Sequence, residues 1–120
     1  AVGLNYWVGD DREMQERLAP IATECAKTIG LKHTFTPDDF DVTCQFAKPD
    51  FGEPSRTSLE TMRLVAQTEG IVLDPVYTAK AMDGLVSHIR EGRFRTDDTV
   101  VFLHTGGTPA IFAYGDELFG

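Results

Sequence analysis

Hydrophobic and polar positions divide this chain into blocks of two kinds. Short, continuous apolar runs are typical of strands buried on both faces, whereas apolar residues that recur every three or four positions are typical of amphipathic helices. On this pattern, four segments are predicted to be strands: Val2 to Trp7, Phe40 to Cys44, Ile71 to Leu73 and Thr99 to His104.

A first helix is predicted after the first strand. Asp10 or Asp11 can cap its first turn, and Gly30 ends it. Pro20 lies inside the segment and is expected to kink or divide the helix. The apolar stripe that should face the core consists of Met14, Leu18, Ile21, Cys25 and Ile29.

Two further helices are predicted in the second half of the chain. Thr57, with Glu60 three positions later, forms a capping-box pattern that starts a helix running to about Gly70. Thr78 is a candidate N-cap for the next helix, and Gly92 closes it.

The predicted strands and helices alternate, and Pro109 is well placed to open a last helix. This alternation predicts an α/β fold, with a mostly parallel open sheet and helices on both of its faces. We expect residues 1–120 to form a single α/β domain or one segment of a larger domain. In an open parallel sheet, ligands bind at the carboxyl ends of the strands.

Composition narrows the range of partners. The 120 residues carry a formal net charge of −8, which disfavours nucleic acid and anionic membranes as partners and leaves a small molecule. Cys25 and Cys44 belong to no CxxC or Cys/His cluster, so neither a metal site nor a disulfide scaffold is expected. Reduced thiols, and with them a cytoplasmic location, fit this composition best.

Candidate chemistry lies where two predicted strands lead into helices, at residues 73–78 (LDPVYT) and 103–109 (LHTGGTP). In a parallel sheet both places fall on one edge, where free backbone N–H groups and helix dipoles favour an anion or a polar ring atom. Gly106 and Gly107 would let the backbone approach a flat ligand closely. Two simpler interpretations remain open, a tight turn for the glycine pair and a helix cap for Thr78.

A specific family resemblance lies in the same region. The segment from Glu69 to Tyr114 reads EGIVLDPVYTAKAMDGLVSHIREGRF and then TVVFLHTGGTPAIFAY. It closely resembles the pyridoxal-phosphate enzymes of the D-cysteine desulfhydrase and 1-aminocyclopropane-1-carboxylate (ACC) deaminase family. The resemblance implies a tryptophan-synthase-β-like fold of type II, with pyridoxal 5'-phosphate as cofactor. It extends more loosely to Ala1 and implies that the Schiff-base lysine and the phosphate-binding loops belong upstream, in an absent N-terminal part.

The resemblance also implies roles for individual residues. Gly106 and Gly107 would lie beside the pyridine ring, and Thr105 would offer its hydroxyl to the ring nitrogen. Tyr77 matches an active-site tyrosine near the substrate. Thr78 and Thr105 match the two positions that distinguish the deaminases of this family from its desulfhydrases. Deaminases have Glu at the first position and Leu at the second. Hydroxyl residues at both positions imply a desulfhydrase, which converts D-cysteine into pyruvate, ammonia and hydrogen sulfide.

Two departures from the family pattern concern the substrate and the lysine. Phe51 and Gly52, in the loop DFGEP, are expected at the substrate, but Phe51 stands where a tyrosine is usual. Lys80 follows the tyrosine motif and does not match the cofactor lysine. His104 is expected to be a core or near-site histidine with a backbone partner, and His33 and His88 to be surface residues.

Three hypotheses follow from these residues. The first is a pyridoxal-phosphate lyase of which this chain is one part, inactive alone, with an amino-acid substrate and either a homodimer or association with the missing N-terminal part. An ACC deaminase-like activity is the alternative within the family. The second is a non-catalytic module that binds a small molecule, and the third is a self-associating structural piece whose unpaired sheet edge drives the contact.

Overall fold

The computed structural model describes residues 2–4, 9–49 and 52–119. Its strands are β1 (Val2–Leu4) and β2 (Asp41–Thr43). Its α-helices are α1 (Asp11–Thr28), α2 (Arg56–Glu69), α3 (Thr78–Arg90) and α4 (Gly115–Phe119). Three 3₁₀ helices cover Pro37–Asp39, Gln45–Ala47 and Thr108–Ala113.

The two strands pair in parallel, with Val2 opposite Asp41. Helix α1 connects them, as predicted from the alternation of the sequence. Asp11 at the start of α1 accepts the backbone N–H of Cys44 at 2.7 Å, and Gln15 donates to the carbonyl of Phe40 at 2.8 Å. These bonds fix α1 against the β2 segment. Residues 5–7 of the first predicted strand lie outside the described residues.

Residues 71–73 and 99–104 were predicted to be strands, and this prediction is wrong. Neither segment is a strand in the structure. A strand exists only with a hydrogen-bonded neighbour, and no other described strand lies beside these segments. Leu73 is instead fully buried in a core of side chains, and Phe102 packs against the same core. Burial without pairing thus accounts for Leu73 and Phe102 only. The other large apolar residues of the two segments are exposed: Ile71, Val72, Val100, Val101 and Leu103.

Helix α1 begins as predicted but buries a different face. The carboxylate of Asp10 accepts the N–H groups of Arg12 and Glu13 at 2.8 and 3.2 Å, which confirms the predicted cap. Pro20 lies within one undivided helix. Ala19 and Ala26 are buried, whereas three members of the predicted stripe are exposed: Ile21, Cys25 and Ile29. Helix α1 contacts the β2 segment, and its fully buried residues are these two alanines, while Met14 and Leu18 are half-buried.

Helix α2 starts at a different cap from the one predicted. The Ser55 hydroxyl accepts the N–H of Ser58 at 3.0 Å, and the Ser58 hydroxyl accepts the N–H of Ser55 at 3.0 Å. Thr57 is instead within the helix, where its hydroxyl donates to the Asp83 carboxylate at 2.7 Å. Gly70 ends α2 with a φ of 67°, as expected of a left-handed C-terminal residue.

The core lies mainly between α2 and α3. Its buried members are Met62, Val65, Leu73, Ala79, Met82 and Leu118. A buried polar contact joins the same two helices, because Asp83 of α3 accepts the hydroxyls of Thr57 and Thr61 of α2. Within residues 2–4, 9–49 and 52–119, no helix has the length and apolar character needed to cross a bilayer.

His88 was predicted to be a surface residue, and this is wrong: its side chain is buried on α3. Its ring meets Phe46 edge-on at 5.7 Å, and Arg93 donates to its Nε2 at 3.2 Å. The packing of the 3₁₀ helix Gln45–Ala47 against α3 accounts for this burial. His33 is exposed, as predicted.

Candidate functional site

The turn that leads into α3 is built around Asp74, whose side chain is 1% exposed. Oδ1 accepts the N–H groups of Val76 and Tyr77 at 2.9 and 2.7 Å. Oδ2 accepts the N–H of Thr78 at 2.8 Å and its hydroxyl at 2.6 Å. The carboxylate therefore receives four hydrogen bonds from the three residues at the start of the helix.

This arrangement corrects one expectation for the helix start. Free N–H groups were expected there as a place for an anion, but those of Val76, Tyr77 and Thr78 already donate to Asp74. The negative charge that favours a helix N-terminus is thus supplied from within the chain. An external anion therefore finds no free backbone N–H group among these three residues.

Thr78 is the first residue of α3 and is 3% exposed, so the prediction that it is the N-cap is wrong. The N-cap position is held by Tyr77, whose side chain makes no capping hydrogen bond. The Thr78 hydroxyl donates to Asp74 Oδ2 and accepts the N–H of Asp74 at 2.8 Å. Its hydrogen is committed to this turn because a hydroxyl has only one to donate.

The glycine pair lies directly beside this turn. Gly106 and Gly107 have φ values of 99° and 88°, a region that residues with a side chain rarely adopt. A Cβ atom on Gly107 would lie 3.0 Å from both Cγ and Oδ2 of Asp74, so the Asp74 side chain would have to shift to admit one. A Cβ atom on Gly106 would meet nothing within 4 Å. Glycine is therefore required at position 107 both by the backbone conformation and by the contact with Asp74. At position 106 it is required by the backbone conformation alone.

His104 attaches the glycine loop to the segment before Asp74. Its Nδ1 accepts the N–H of Gly106 at 3.0 Å, which assigns the ring hydrogen to Nε2. Nε2 then donates to the carbonyl of Val72 at 3.1 Å, and the Thr108 hydroxyl reaches the same carbonyl at 3.3 Å. The expected backbone partner of His104 is present, although the side chain is exposed rather than in the core.

The structure thus brings together the two loops singled out in the sequence. Tyr77 is 45% exposed on one loop, and Thr105 is exposed on the other. Gly52 lies in a separate loop, where its carbonyl accepts the Tyr114 hydroxyl at 2.6 Å. Phe51 falls outside the described residues. Lys80 is buried and donates to the carbonyl of Ala47 at 2.8 Å, on the side of the 3₁₀ helix Gln45–Ala47.

Asp74 is the residue that sequence reasoning missed. Burial raises the pKa of Asp74, but the hydrogen bonds from the Thr78 hydroxyl and from the backbone of Thr78, Tyr77 and Val76 outweigh burial and hold this pKa below its ordinary value. The side chain is therefore ionised at neutral pH. The dipeptide Asp74-Pro75 could have indicated this role, because an aspartate that opens a turn commonly accepts hydrogen bonds from backbone groups two to four residues ahead.

Comparison with known proteins adds to this geometry. Residues 8–106 match a family model described as pyridoxal-phosphate dependent enzyme. A D-cysteine desulfhydrase of Yersinia enterocolitica is 40% identical over 106 residues, which cover 88% of this chain and 32% of that protein. A D-cysteine desulfhydrase of Salmonella newport is 45% identical over 122 residues, covering 95% of this chain and 37% of the relative. An ACC deaminase of Cyberlindnera saturnus is 40% identical over 100 residues, which cover 83% of this chain and 29% of that protein.

A solved structure is similar over nearly the whole chain. A crystal structure of an ACC deaminase homologue superposes with a TM-score of 0.78 at 33% identity, covering 98% of this chain and 34% of that one. The expected type II α/β fold is confirmed by this match, although only one parallel strand pair lies within the described residues. The chain spans about a third of the length of these relatives.

Proposed function

Because this chain belongs to the family of pyridoxal-phosphate dependent enzymes, we propose that it forms the C-terminal part of a lyase of the D-cysteine desulfhydrase type. This lyase converts D-cysteine and water into pyruvate, ammonia and hydrogen sulfide. The observation that carries the proposal is the exposed Thr105, which lies on the loop whose Gly107 packs against Asp74. Thr78 serves the neighbouring turn, because its hydroxyl donates to Asp74.

Pyridoxal phosphate fits the open side of these loops. Gly106 has open space where a side chain would stand, so a flat ring can approach its backbone. The exposed Thr105 hydroxyl offers a donor to a ring nitrogen. Asp74 is not that partner because its carboxylate already accepts four hydrogen bonds within the chain. When bound, the cofactor supplies an electron-withdrawing ring that stabilises negative charge on the substrate α-carbon.

The residue beside the ring nitrogen bears on the choice of substrate. A hydroxyl such as that of Thr105 donates a hydrogen bond without a negative charge, so it leaves the ring largely unprotonated and less electron-withdrawing. D-cysteine tolerates this because its thiolate leaves directly from the β-carbon. Opening a cyclopropane has no such leaving group and needs the stronger withdrawal that a carboxylate beside the nitrogen supports. Tyr77 is the proposed acid–base group near the substrate.

An ACC deaminase activity is the second candidate. It is favoured by the Cyberlindnera relative, which is 40% identical, the same as the Yersinia desulfhydrase. The two candidates differ in what they require beside the ring nitrogen, so measuring both reactions with one preparation separates them.

The surface supports a role within a larger assembly. Three large apolar side chains are almost fully exposed: Val101 at 85%, Leu103 at 80% and Phe112 at 86%. Exposed apolar surface of this kind marks a place where another protein segment binds. We propose that the remaining two thirds of the enzyme, which the relatives possess and this chain does not match, covers this surface. We place the cofactor lysine in that part as well, because the family resemblance puts it upstream of this chain and because Lys80 is buried and donates to the Ala47 carbonyl.

The test is a chimaera in which this chain replaces the matching residues of the Salmonella newport desulfhydrase. Thr105→Leu removes the proposed donor while keeping a side chain of similar size, and Thr105→Ser retains the hydroxyl. We expect hydrogen sulfide release from D-cysteine to fall about ten- to a hundred-fold with leucine, because a polar contact at a cofactor is worth about 1–3 kcal/mol. Serine should stay near the parent rate. Equal rates for the leucine and serine variants would overturn the assignment of Thr105.

Thr78→Glu is a less clean test than Thr105→Leu. The Thr78 hydroxyl lies 2.6 Å from Asp74 Oδ2, so a glutamate there would bring a second carboxylate towards a buried one. The isolated 120-residue chain provides a further arm, since we expect it to release no hydrogen sulfide above a control of pyridoxal phosphate alone. ACC ring opening by the parent chimaera without elimination from D-cysteine would favour the second candidate.

A further inference from the structure

We propose that Asp74 is a positioning residue that links the two loops of the site, so that the placement of Thr105 depends on the hydrogen bonds Asp74 makes at the start of α3. Its catalytic meaning rests on the proposed function, but the linkage itself belongs to this chain alone.

The first half of the linkage is the set of bonds on the α3 side. All four donors to Asp74 come from residues 76–78, including the Thr78 hydroxyl at 2.6 Å. Because Thr78 also accepts the N–H of Asp74, the turn is closed in both directions. A side chain held by this many bonds at 1% exposure has a single orientation.

The second half is contact with the glycine loop. The space on Gly107 that a side chain would need is occupied by Cβ, Cγ and Oδ2 of Asp74, at 3.0–3.1 Å from the ideal Cβ position. Gly107 also accepts the N–H of Ala110 at 2.9 Å, and Gly106 donates to His104. A shift of the Asp74 carboxylate therefore changes the surface against which Gly107 packs, and with it one support of the loop of residues 104–110.

The loop carries its proposed ligand contact two residues from this point. Thr105 is exposed and adjoins Gly106, whose N–H is bound to His104. Since His104 is anchored on the carbonyl of Val72, the loop has one fixed end there and rests on Asp74 at Gly107. Asp74 thus acts on the reacting centre through Thr105 and not by touching a ligand.

Hydrogen exchange tests the linkage without any cofactor. Asp74→Asn keeps the shape but removes the negative charge and replaces one acceptor oxygen by an NH₂ group, which in either orientation faces a backbone N–H group of residues 76–78. In the 120-residue chain we expect the amides of Val76, Tyr77 and Thr78 to exchange at least ten-fold faster, and those of Gly106 and Ala110 several-fold faster. Asp83→Asn, which alters another buried carboxylate that accepts threonine hydroxyls, is the matched control and should change neither set.

A second pair of variants covers the case in which Asp74→Asn does not fold. Thr78→Val removes one donor to Asp74, and Thr78→Ser restores it, so exchange at Gly106 and Ala110 should rise with valine and return with serine. Faster exchange confined to residues 76–78, with Gly106 and Ala110 unchanged, would overturn the linkage.

A spectroscopic measurement in the chimaera connects the linkage to the site. If Asp74 positions Thr105, then Asp74→Asn and Thr105→Val should shift the absorption maximum of bound pyridoxal phosphate in the same direction, and Asp83→Asn should leave it unchanged. Opposite shifts, or a shift for Thr105→Val alone, would contradict the positioning role. A chimaera that binds no pyridoxal phosphate would refute the proposed function, while the exchange rates would still decide the linkage.

Discussion

At the scale of single residues, side chains that the sequence assigned to a ligand are used by the protein itself. Thr78 was expected at the cofactor, yet its hydroxyl hydrogen is donated to Asp74. Gly107 was expected beside a ring, yet its missing side chain makes room for the Asp74 carboxylate. Among the residues of these two loops that were expected at the ligand, Thr105, Gly106, Gly107 and Tyr77 keep surfaces that a ligand can reach.

The ionisation of Asp74 predicts an acid-dependent contribution to stability. Its pKa in the folded chain lies below the value of about 3.9 expected when unfolded, so the stabilisation is present above pH 4 and is lost as pH falls through the folded pKa. We expect Asp74→Asn to lower the free energy of unfolding by about 2 kcal/mol at pH 7. Urea titrations at pH 7, 5 and 3 should show this gap narrowing at pH 3. A gap of constant size would contradict the prediction.

The glycine pair offers a comparison in which only one member touches Asp74. Gly106→Ala should cost about 1–2 kcal/mol of unfolding free energy, because alanine disfavours a positive φ. Gly107→Ala carries the same strain and forces a Cβ atom to within 3.0 Å of the carboxylate, so it should cost about 1–3 kcal/mol more. Thermal unfolding of both variants measures the difference. Equal losses would show that the Asp74 side chain moves aside freely.

At the scale of secondary-structure elements, helix ends followed local rules but not always at the expected residue. Glycines ended α1 and α2 as predicted, since Gly30 and Gly70 both have positive φ values. The start of α2 moved from Thr57 to Ser55, because Thr57 is drawn into a hydrogen bond with Asp83 of α3. Contact between helices thus decided which of two capping residues was used.

This choice of cap can be tested directly on α2. Ser55→Ala removes the acceptor for the N–H of Ser58 and should lower the unfolding free energy by about 1 kcal/mol. Ser55→Asp, which provides another acceptor at the N-cap, should retain most of the stability. Guanidinium unfolding monitored by circular dichroism measures both variants. If alanine were as stable as serine, the cap would lie elsewhere.

At the scale of the whole molecule, the chain is less compact than an independent domain of its length. Its Cα radius of gyration is 15.9 Å, whereas a compact domain of this size has about 14 Å. Along residues 101–103 the apolar side chains alternate, with Phe102 packed on the core and Val101 and Leu103 exposed. An alternation with a period of two is typical of a strand. We therefore expect residues 101–103 to pair as a strand once another segment lies beside them.

The exposed apolar surface predicts the effect of adding charge to it. Val101→Lys with Leu103→Lys should weaken association between this chain and the separately expressed N-terminal part of the Salmonella newport relative at least ten-fold, because charges in an apolar interface are costly to desolvate. Ala66→Lys with Gln67→Lys adds the same two positive charges at exposed positions of α2 and serves as control. Co-purification and ultracentrifugation measure binding. Undiminished binding by the double variant would locate the interface elsewhere, and self-association of the parent chain would favour a second copy as partner.

The sequence by itself determined the features that depend on neighbours along the chain. These include three main helices, the Asp10 cap, the glycine stops and the parallel order of β1 and β2 around α1. It also marked both loops of the candidate site, since turns are specified by a few adjacent residues such as Asp74-Pro75 and Gly106-Gly107. The family followed from the motifs in those loops, as the match over residues 8–106 confirms.

Only the tertiary structure decided what depends on residues far apart in sequence. Residues 71–73 and 99–104 have strand-like composition, but a ladder requires a partner that no described strand provides. His88 is buried because Phe46 lies on it, and Asp74 meets Gly107 because residues 104–108 fold back onto Val72. Composition and periodicity specify which groups can be buried or bonded, whereas the contact that uses each group is fixed by the packing of the whole chain.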